Sequence, residues 1–177
     1  MSITIFSSLK DKKRIVIKIG SSLLVERGKF RAAWLKSLAQ DILQLKTSGK
    51  EIIIVSSGAI ALGKAKLKTK STKLKLEEKQ AAAAIGQIAL MANYQTCFEK
   101  LGLNVAQILI TGDDSADRNR YLNARNTLNT LLANNIIPIV NENDTIAVEE
   151  IKIGDNDRLA ARIAQIAVAD LLILLSD

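Results

Sequence analysis

Residues 13–22 read KRIVIKIGSS, a short apolar run that is followed at once by a glycine and two serines. The run is rich in β-branched side chains and too short for a typical helix, so it predicts a β-strand over residues 13–19. The glycine and serines predict a flexible turn after the strand, where backbone N–H groups can approach an anion. This arrangement is typical of α/β proteins.

Four similar apolar runs follow, and longer helical patterns separate them along the chain. Near-continuous Ile, Leu and Val in strands that alternate with helices indicate a mainly parallel sheet covered on both faces. The predicted fold class is therefore α/β, a three-layer α/β/α sandwich. The predicted strands are 13–19, 51–56, 104–110, 136–140 and 170–175, and the predicted helices are 31–48, 76–100, 119–134 and 156–168.

Length and composition restrict the class of protein further. A chain of 177 residues that is 48% hydrophobic can form one domain with a real core, and no apolar run reaches the roughly 18 residues of a membrane helix. The absence of histidine excludes Ser/His/Asp triads and His-ligated metal sites. Because Cys97 is the single cysteine and no signal-peptide pattern is present, we expect a cytoplasmic protein.

The net charge of +7 is unevenly distributed along the chain. Residues 1–100 carry 19 basic and 7 acidic side chains, whereas residues 101–177 carry 6 and 11. Much of the excess lies in a lysine-rich stretch from Lys64 to Lys79, which we interpret as a solvated loop. A nucleic-acid surface is the alternative, but no aromatic side chains interleave these lysines as base stacking requires. Nucleic acid is therefore the disfavoured partner.

Small and polar residues follow the first two strands, at the edge where open parallel sheets bind ligands. Lys18 either lies on an exposed face of its strand or contacts a phosphate together with the turn at Gly20. Ser57 and Gly58 precede a helical segment whose N–H groups can hold a carboxylate or phosphate. The same segment nearly matches the GxxxxGK[ST] phosphate loop, but Ala65 replaces the magnesium-binding hydroxyl, so we interpret it as a helix.

Two acidic clusters follow later, NEND at 141–144 and GDND at 154–157. Carboxylates and amides in this density suit a ligand ammonium group or a hard metal ion such as magnesium. Taken singly, Asp155 or Asn156 is equally well explained as the N-cap of the next helix. The residues alone leave both alternatives open.

Five segments, in order, resemble the glutamate 5-kinases of the amino acid kinase family. NENDT followed by GDND is the most specific part, whereas the KxGSS start is shared with acetylglutamate, aspartate, uridylate and carbamate kinases. The resemblance runs from about Lys13 to Asp177. Its segments are KIGSSLL (18–24), IIIVSSGAIALG (52–63), QAAAAIGQIALM (80–91), YLNARNTLNTLLANNIIPIVNENDTIA (121–147) and IKIGDNDRLAA (151–161).

The resemblance implies phosphorylation of the γ-carboxylate of L-glutamate by ATP with Mg²⁺, the first step of proline biosynthesis. It also implies proline as a feedback inhibitor and a homo-oligomeric assembly. By matching position, the implied catalytic residues are Lys18 and Asp157, and the implied glutamate-binding residues are Ser57, Gly58, Asp144 and Asn156. The implied ATP contacts are Lys18, Ser176 and Asp177, with Ser176 in place of the family's usual threonine; no metal ligand is assigned.

The family pattern continues beyond Asp177 with a nucleotide-binding segment. Residues 1–177 are therefore expected to be the N-terminal, glutamate-binding portion of one amino acid kinase domain, C-terminally incomplete, with little activity alone. Two alternatives remain open. One is a non-catalytic module that binds glutamate or proline, and the other is a relative that acts on acetylglutamate or aspartate.

Overall fold

The structure, a computed structural model, describes residues 10–67, 74–111, 117–146 and 156–176. The strands are β1 (Arg14–Ile19), β2 (Val25–Glu26), β3 (Lys29–Phe30), β4 (Glu51–Ser56), β5 (Val105–Ile110), β6 (Ile137–Glu142) and β7 (Leu171–Leu175). The helices are α1 (Ser21–Leu24), α2 (Ala32–Thr47), α3 (Ala59–Lys64), α4 (Leu76–Glu99), α5 (Arg118–Ala133) and α6 (Asn156–Ile166).

Five of the strands form a parallel sheet in the order β5-β6-β4-β1-β7. β1 lies inside the sheet, because it pairs with β4 on one side and with the edge strand β7 on the other. The predicted strands and helices are all present, with ends shifted by at most two residues. The predicted α/β fold class is confirmed.

Each face of the sheet is covered by its own hydrophobic cluster. Side chains alternate between the two faces along a strand, so Ile15 and Ile17 of β1 belong to one cluster and Val16 belongs to the other. Helices α2 and α4 cover the first face, and α5 and α6 cover the second. The helices contribute Leu35, Ile42, Leu90, Tyr94 and Phe98 to the first cluster and Leu128, Leu132, Leu159 and Ile163 to the second.

Two features of the backbone differ from the prediction. β6 extends beyond residue 140, because its pairing with β5 continues up to Ile110 opposite Glu142. Asn141 is therefore a strand residue, 3% exposed, rather than part of a loop. The β2–β3 hairpin was not predicted; it reverses at Arg27 and Gly28, which have φ values of 49° and 73°, as two-residue hairpin turns require.

The interpretation of the lysine-rich stretch as one loop is wrong at both ends. Lys64 is the last residue of α3, and Lys79 lies inside the first turns of α4. The physical reason is that both helices carry apolar side chains for the core, Leu62 in α3 and Leu90 in α4 among them. Lys68, Lys70 and Lys73 lie outside the described residues.

Helices α3 and α4 approach each other closely at two glycines. A Cβ added to Gly63 would overlap the carbonyl oxygen of Ala82, and one added to Gly86 would overlap that of Ala59. Glycine is required at both positions because any side chain would separate the helices. The contact holds α3, and the turn that precedes it, in a fixed position against α4.

Within the described part of the chain, no helix has the length and apolar character needed to span a membrane.

Candidate functional site

A pocket of about 380 Å³ opens where β4 and β6 end. Ala59, Ile60 and Ala61 of α3 form an apolar part of its wall, and polar side chains form the rest. The pocket brings together the four residues predicted to bind substrate, although these are far apart in sequence. The polar lining consists of Ser21, Ser57, Gly58, Asn141, Glu142, Asp144 and Asn156.

The turn between β4 and α3 places Ser57 and Gly58 at the pocket. Gly58 has a φ of 108°, a left-handed conformation that favours glycine, and a Cβ there would lie 3.2 Å from Cγ2 of Val25. Ser57 N–H donates to the carbonyl oxygen of Ile19 at 3.2 Å, which ties the turn to the end of β1. The turn is therefore held by its hydrogen bond to the end of β1 and by the close contact of α3 with α4.

Asn156 connects α6 to the ends of two strands. The two N–H groups of its Nδ2 are shared among three acceptors, the carbonyl oxygen of Ser56 at 2.9 Å, Oγ of Ser57 at 2.6 Å and Oδ1 of Asn141 at 3.2 Å. The side chain thus reaches across to the sheet, which a simple capping role does not explain. Since Nδ2 serves protein acceptors, Oδ1 is the atom of this amide that can accept a hydrogen bond from a ligand. Asp155, the other capping candidate, lies outside the described residues.

Two carboxyl groups share the pocket and raise the negative charge there. Burial raises the pKa of Glu142 to about 7, with a further contribution from the nearby Asp144 charge. Burial also raises the pKa of Asp144. The Asp144 charge thus opposes the ionisation of Glu142, and a cationic ligand group would favour the charged forms of both carboxyl groups.

Lys18 forms an ion pair with Asp157 immediately beside the pocket. Its Nζ lies 2.6 Å from Oδ1 of Asp157, and its side chain is only 10% exposed. The alternative that Lys18 lies on an exposed face is wrong, because α6 covers that face of β1. Asp157 follows Asn156 in α6, so the ion pair adjoins the pocket, although neither partner is among its lining residues.

The end of β7 reaches the same edge of the sheet. Gly20 N–H donates to the carbonyl oxygen of Leu175 at 3.0 Å, and a Cβ on Gly20 would lie 3.9 Å from Cα of Ser176 and 3.9 Å from Nζ of Lys18. Ser176 is exposed and does not line the pocket. Asp177 lies outside the described residues.

The sequence placed Asn141 and Glu142 in a polar cluster suited to an ammonium group or a metal ion without naming either as a binding residue, and two residues of α4 were not predicted at the site. Gln87 Oε1 accepts from Nδ2 of Asn141 at 2.9 Å, and the Tyr94 hydroxyl donates to Oγ of Ser56 at 3.0 Å. The sequence pattern that could have identified them is the helical spacing of Gln87 and Tyr94, which lie two turns apart on the apolar face of the predicted helix.

Across the described ranges, no group of three or more Cys, Asp or Glu side chains is arranged to hold a metal ion.

The sequence model described as the amino acid kinase family matches residues 13–177. The chain is 58% identical over 164 residues to glutamate 5-kinase of Rhodospirillum rubrum, covering 92% of this chain and 44% of that protein. It is 56% identical over 171 residues to glutamate 5-kinase of Nitrobacter hamburgensis, covering 96% and 45%. The chain thus spans less than half the length of these relatives.

Among solved structures, carbamate kinase from Giardia lamblia bound to AMP-PNP matches with a TM-score of 0.63. The match covers 95% of this chain and 72% of that one at 19% sequence identity, so it supports the fold alone. The resemblance to glutamate 5-kinases drawn from the sequence motifs is confirmed by the curated relatives. The chain belongs to the amino acid kinase family.

Proposed function

We propose that this chain is the glutamate-binding part of a kinase that transfers a phosphoryl group from MgATP to the γ-carboxylate of L-glutamate. The product, glutamyl 5-phosphate, is the first intermediate of proline biosynthesis. The observation that carries the proposal is the convergence of Ser57, Gly58, Asp144 and Asn156 on one pocket beside the Lys18–Asp157 ion pair. The names and identities of the curated relatives support it.

The pocket offers complementary groups for both ends of a glutamate molecule. Asp144 and Oδ1 of Asn156 would accept hydrogen bonds from the substrate ammonium group. The carboxyl group of Glu142 lies in the same pocket, and an ammonium group there would favour its ionised form. Ser57 Oγ already accepts from Asn156, so its hydroxyl hydrogen can be donated to a substrate carboxylate together with the Gly58 N–H. The apolar wall of α3 would contact the methylene groups.

The transfer step requires positioning and charge rather than a base. The γ-carboxylate is already ionised at neutral pH, so one of its oxygens attacks the terminal phosphorus of ATP directly while the bond to ADP breaks. Lys18 would neutralise charge on the transferred group, and Asp157 would hold the ammonium group in place. Ser176 and Asp177 are proposed as nucleotide contacts. Magnesium enters with ATP as part of the substrate, and no step is assigned to it.

The remaining expectations belong to the same proposal. Residues 1–177 would form the N-terminal portion of one kinase domain, with little turnover alone. Inhibition by proline, homo-oligomeric assembly and a cytoplasmic location stay predictions.

Substrate recognition is tested by titration calorimetry of the chain with L-glutamate, N-acetylglutamate and L-aspartate. We expect L-glutamate to bind, N-acetylglutamate to fail because its amine is blocked, and aspartate to bind weakly because it is one methylene shorter. Asp144→Asn should weaken glutamate binding about tenfold or more, since charge-assisted hydrogen bonds are the stronger ones. Ser57→Ala tests the hydroxyl group that is proposed to donate to a substrate carboxylate. Ser48→Ala, at an exposed serine after α2, is its matched control. Preference for N-acetylglutamate or aspartate would overturn the substrate assignment.

Catalysis is tested by a hydroxamate assay with L-glutamate and MgATP, run on the chain and on its full-length gene product. Turnover by the full-length product supports the proposal. Glutamate binding without any turnover in either would instead identify a non-catalytic binding module.

A further inference from the structure

We propose that Gln87 of α4 is a positioning residue for the pocket, which sets the orientation of the Asn141 amide and, through it, that of Asn156. The proposal deepens the proposed function and rests on it for the identity of the ligand. Gln87 does not line the pocket, so its effect on a ligand is transmitted through these two side chains.

Three amide side chains are joined by a series of hydrogen bonds that runs from α4 to the pocket. Asn156 Nδ2 donates to Oδ1 of Asn141 at 3.2 Å, and Asn141 Nδ2 donates to Oε1 of Gln87 at 2.9 Å. Asn141 is 3% exposed, so water cannot readily replace either partner. Gln87 therefore supplies the acceptor that a buried amide at the end of β6 requires.

This series of hydrogen bonds has a direction, because an amide side chain donates through its NH₂ group and accepts through its oxygen. With Gln87 accepting from Nδ2, Asn141 must turn Oδ1 toward Asn156. If the Gln87 acceptor were lost, Asn141 could turn over and direct its NH₂ group at the Asn156 NH₂ group. Two donors would then face each other, and their repulsion would act against the bonds to Ser56 and Ser57 that also hold the Asn156 amide. The resulting displacement would move Oδ1 of Asn156 away from the position where a ligand ammonium group can reach it.

Helix α4 supports the same site at a second point, two turns further along. The buried Tyr94 hydroxyl donates to Oγ of Ser56, whose carbonyl oxygen in turn accepts from Asn156. Burial raises the pKa of Tyr94, so this donor stays protonated. Gln87 also follows Gly86, where α4 meets the backbone of α3. One face of α4 thus fixes the strand ends to which Asn156 is bonded.

The test compares two variants that differ only in whether an acceptor remains at position 87. Gln87→Met keeps the length of the side chain and removes the acceptor, whereas Gln87→Glu keeps an oxygen that can accept from Asn141. Gln95→Met, at an exposed position of the same helix, is the matched control. We expect the Kd for L-glutamate to rise about 5- to 10-fold in Gln87→Met and less than about 2-fold in the other two variants. Equal binding by all variants, or equal weakening in both Gln87 variants, overturns the proposal.

A second measurement separates positioning from the identity of the ligand. In ¹⁵N-labelled chain without ligand, the side-chain NH₂ signals of Asn141 and Asn156 are assigned from their loss in Asn141→Asp and Asn156→Asp. Gln87→Met should shift both pairs of signals, and Gln95→Met should leave them in place. If wild-type chain fails to bind glutamate but the signals shift as expected, the proposed function fails and the positioning role stands. If the signals do not move, the positioning role fails whatever the ligand.

Discussion

Strand β1 carries a cation near each end, on the same face of the sheet, and the two are held differently. Arg14 donates from Nε to Glu51 at 2.7 Å and from Nη1 to Oδ1 of Asn129 at 3.0 Å, and also bonds the Ala167 carbonyl oxygen just after α6. Lys18 is paired with Asp157 in the first turn of α6. Arg14 is thus surrounded by partners from several elements, whereas Lys18 shares one carboxylate beside an open pocket.

The carboxyl groups at the two ends of the sheet differ in the same way. At the amino end, hydrogen bonds from the backbone N–H groups of Arg14 and Lys13 lower the pKa of Asp170. At the carboxyl end, burial raises the pKa of both Glu142 and Asp144. Folding therefore favours the ionised carboxylate at the amino edge and disfavours ionisation of the two carboxyl groups at the carboxyl edge. This difference agrees with the proposed binding of a ligand at the carboxyl edge, where unfavourable carboxylate charge would be offset by a cationic group.

The largest effect on stability is expected for Arg14→Met. The substitution leaves the mostly buried Glu51 carboxylate without its closest partner, and should lower the free energy of unfolding by about 3 kcal/mol. Glutamate affinity should change less than about 2-fold, because Arg14 is at the opposite edge from the pocket. Urea unfolding and calorimetry measure the two quantities.

Lys13→Met is the matched control for this prediction. Lys13 lies 3.7 Å from the same carboxylate but is 75% exposed, so its loss should cost less than about 0.5 kcal/mol. An equal loss of stability in the two variants would show that the hydrogen bonds of Arg14 are not what makes the amino edge of the sheet important for stability.

Lys18→Met should have the opposite balance of effects, with a smaller loss of stability and a large loss of activity. The Asp157 side chain is 41% exposed against 24% for Glu51, so the carboxylate that remains is hydrated more readily, and stability should fall by less than in Arg14→Met, by about 2 kcal/mol. In the full-length gene product, turnover should fall about 100-fold or more, equivalent to about 2.7 kcal/mol in the barrier, because the charge that meets the transferred group is removed. Turnover that survives this substitution would mean that Lys18 serves the fold, as Arg14 does.

Glu142→Gln should stabilise the chain at alkaline pH. The pKa of Glu142 is raised from 4.5 to about 7 on folding, so the stability linked to its protonated form is complete below pH 4.5 and is lost as the pH rises through about 7. Glutamine does not ionise, so the variant should match the wild type near pH 4 and exceed it by about 1 kcal/mol near pH 8, after allowance for solvent screening. Urea unfolding as a function of pH provides the measurement.

Glu26→Gln, at an exposed position of the hairpin, is the control for loss of a surface charge. The prediction is wrong if the Glu142→Gln curve runs parallel to that of the wild type across the whole pH range.

The sequence predicted the elements of this fold because their signals are local. Runs such as EIIIVS in β4 contain enough β-branched residues to define a strand without knowledge of its neighbours. The residues that follow β1 and β4 could also be named in advance, since parallel strands bring their carboxyl ends to one edge. Ser57 and Asn156, almost a hundred residues apart, were expected at one site for this reason and for their match to the family motifs.

The remainder depends on which elements become neighbours, and local patterns do not contain that information. Alternation places Lys18 on one face of β1 but does not reveal that α6 covers that face. The length of β6 depends on its register with β5, which makes Asn141 a buried strand residue. Helical spacing places Gln87 toward the core, but its contact with Asn141 depends on how α4 packs across the strand ends.

The smallest effect concerns the amino edge and Asp170→Asn. Asp170 Oδ2 accepts from the N–H groups of Lys13 and Arg14, both at 2.8 Å, and the lowered pKa means that folding favours its ionised form. Its contribution to stability is therefore present above the unfolded pKa of 3.8 and is lost as the pH falls through the lower folded value. The wild type should lose stability more steeply on acidification than the variant, and the two urea-unfolding curves should converge at low pH. Asp41→Asn, at an exposed position within α2, is the control. A constant offset between wild type and Asp170→Asn at every pH would mean that hydrogen-bond geometry, and not the carboxylate charge, distinguishes this edge from the one that holds Glu142.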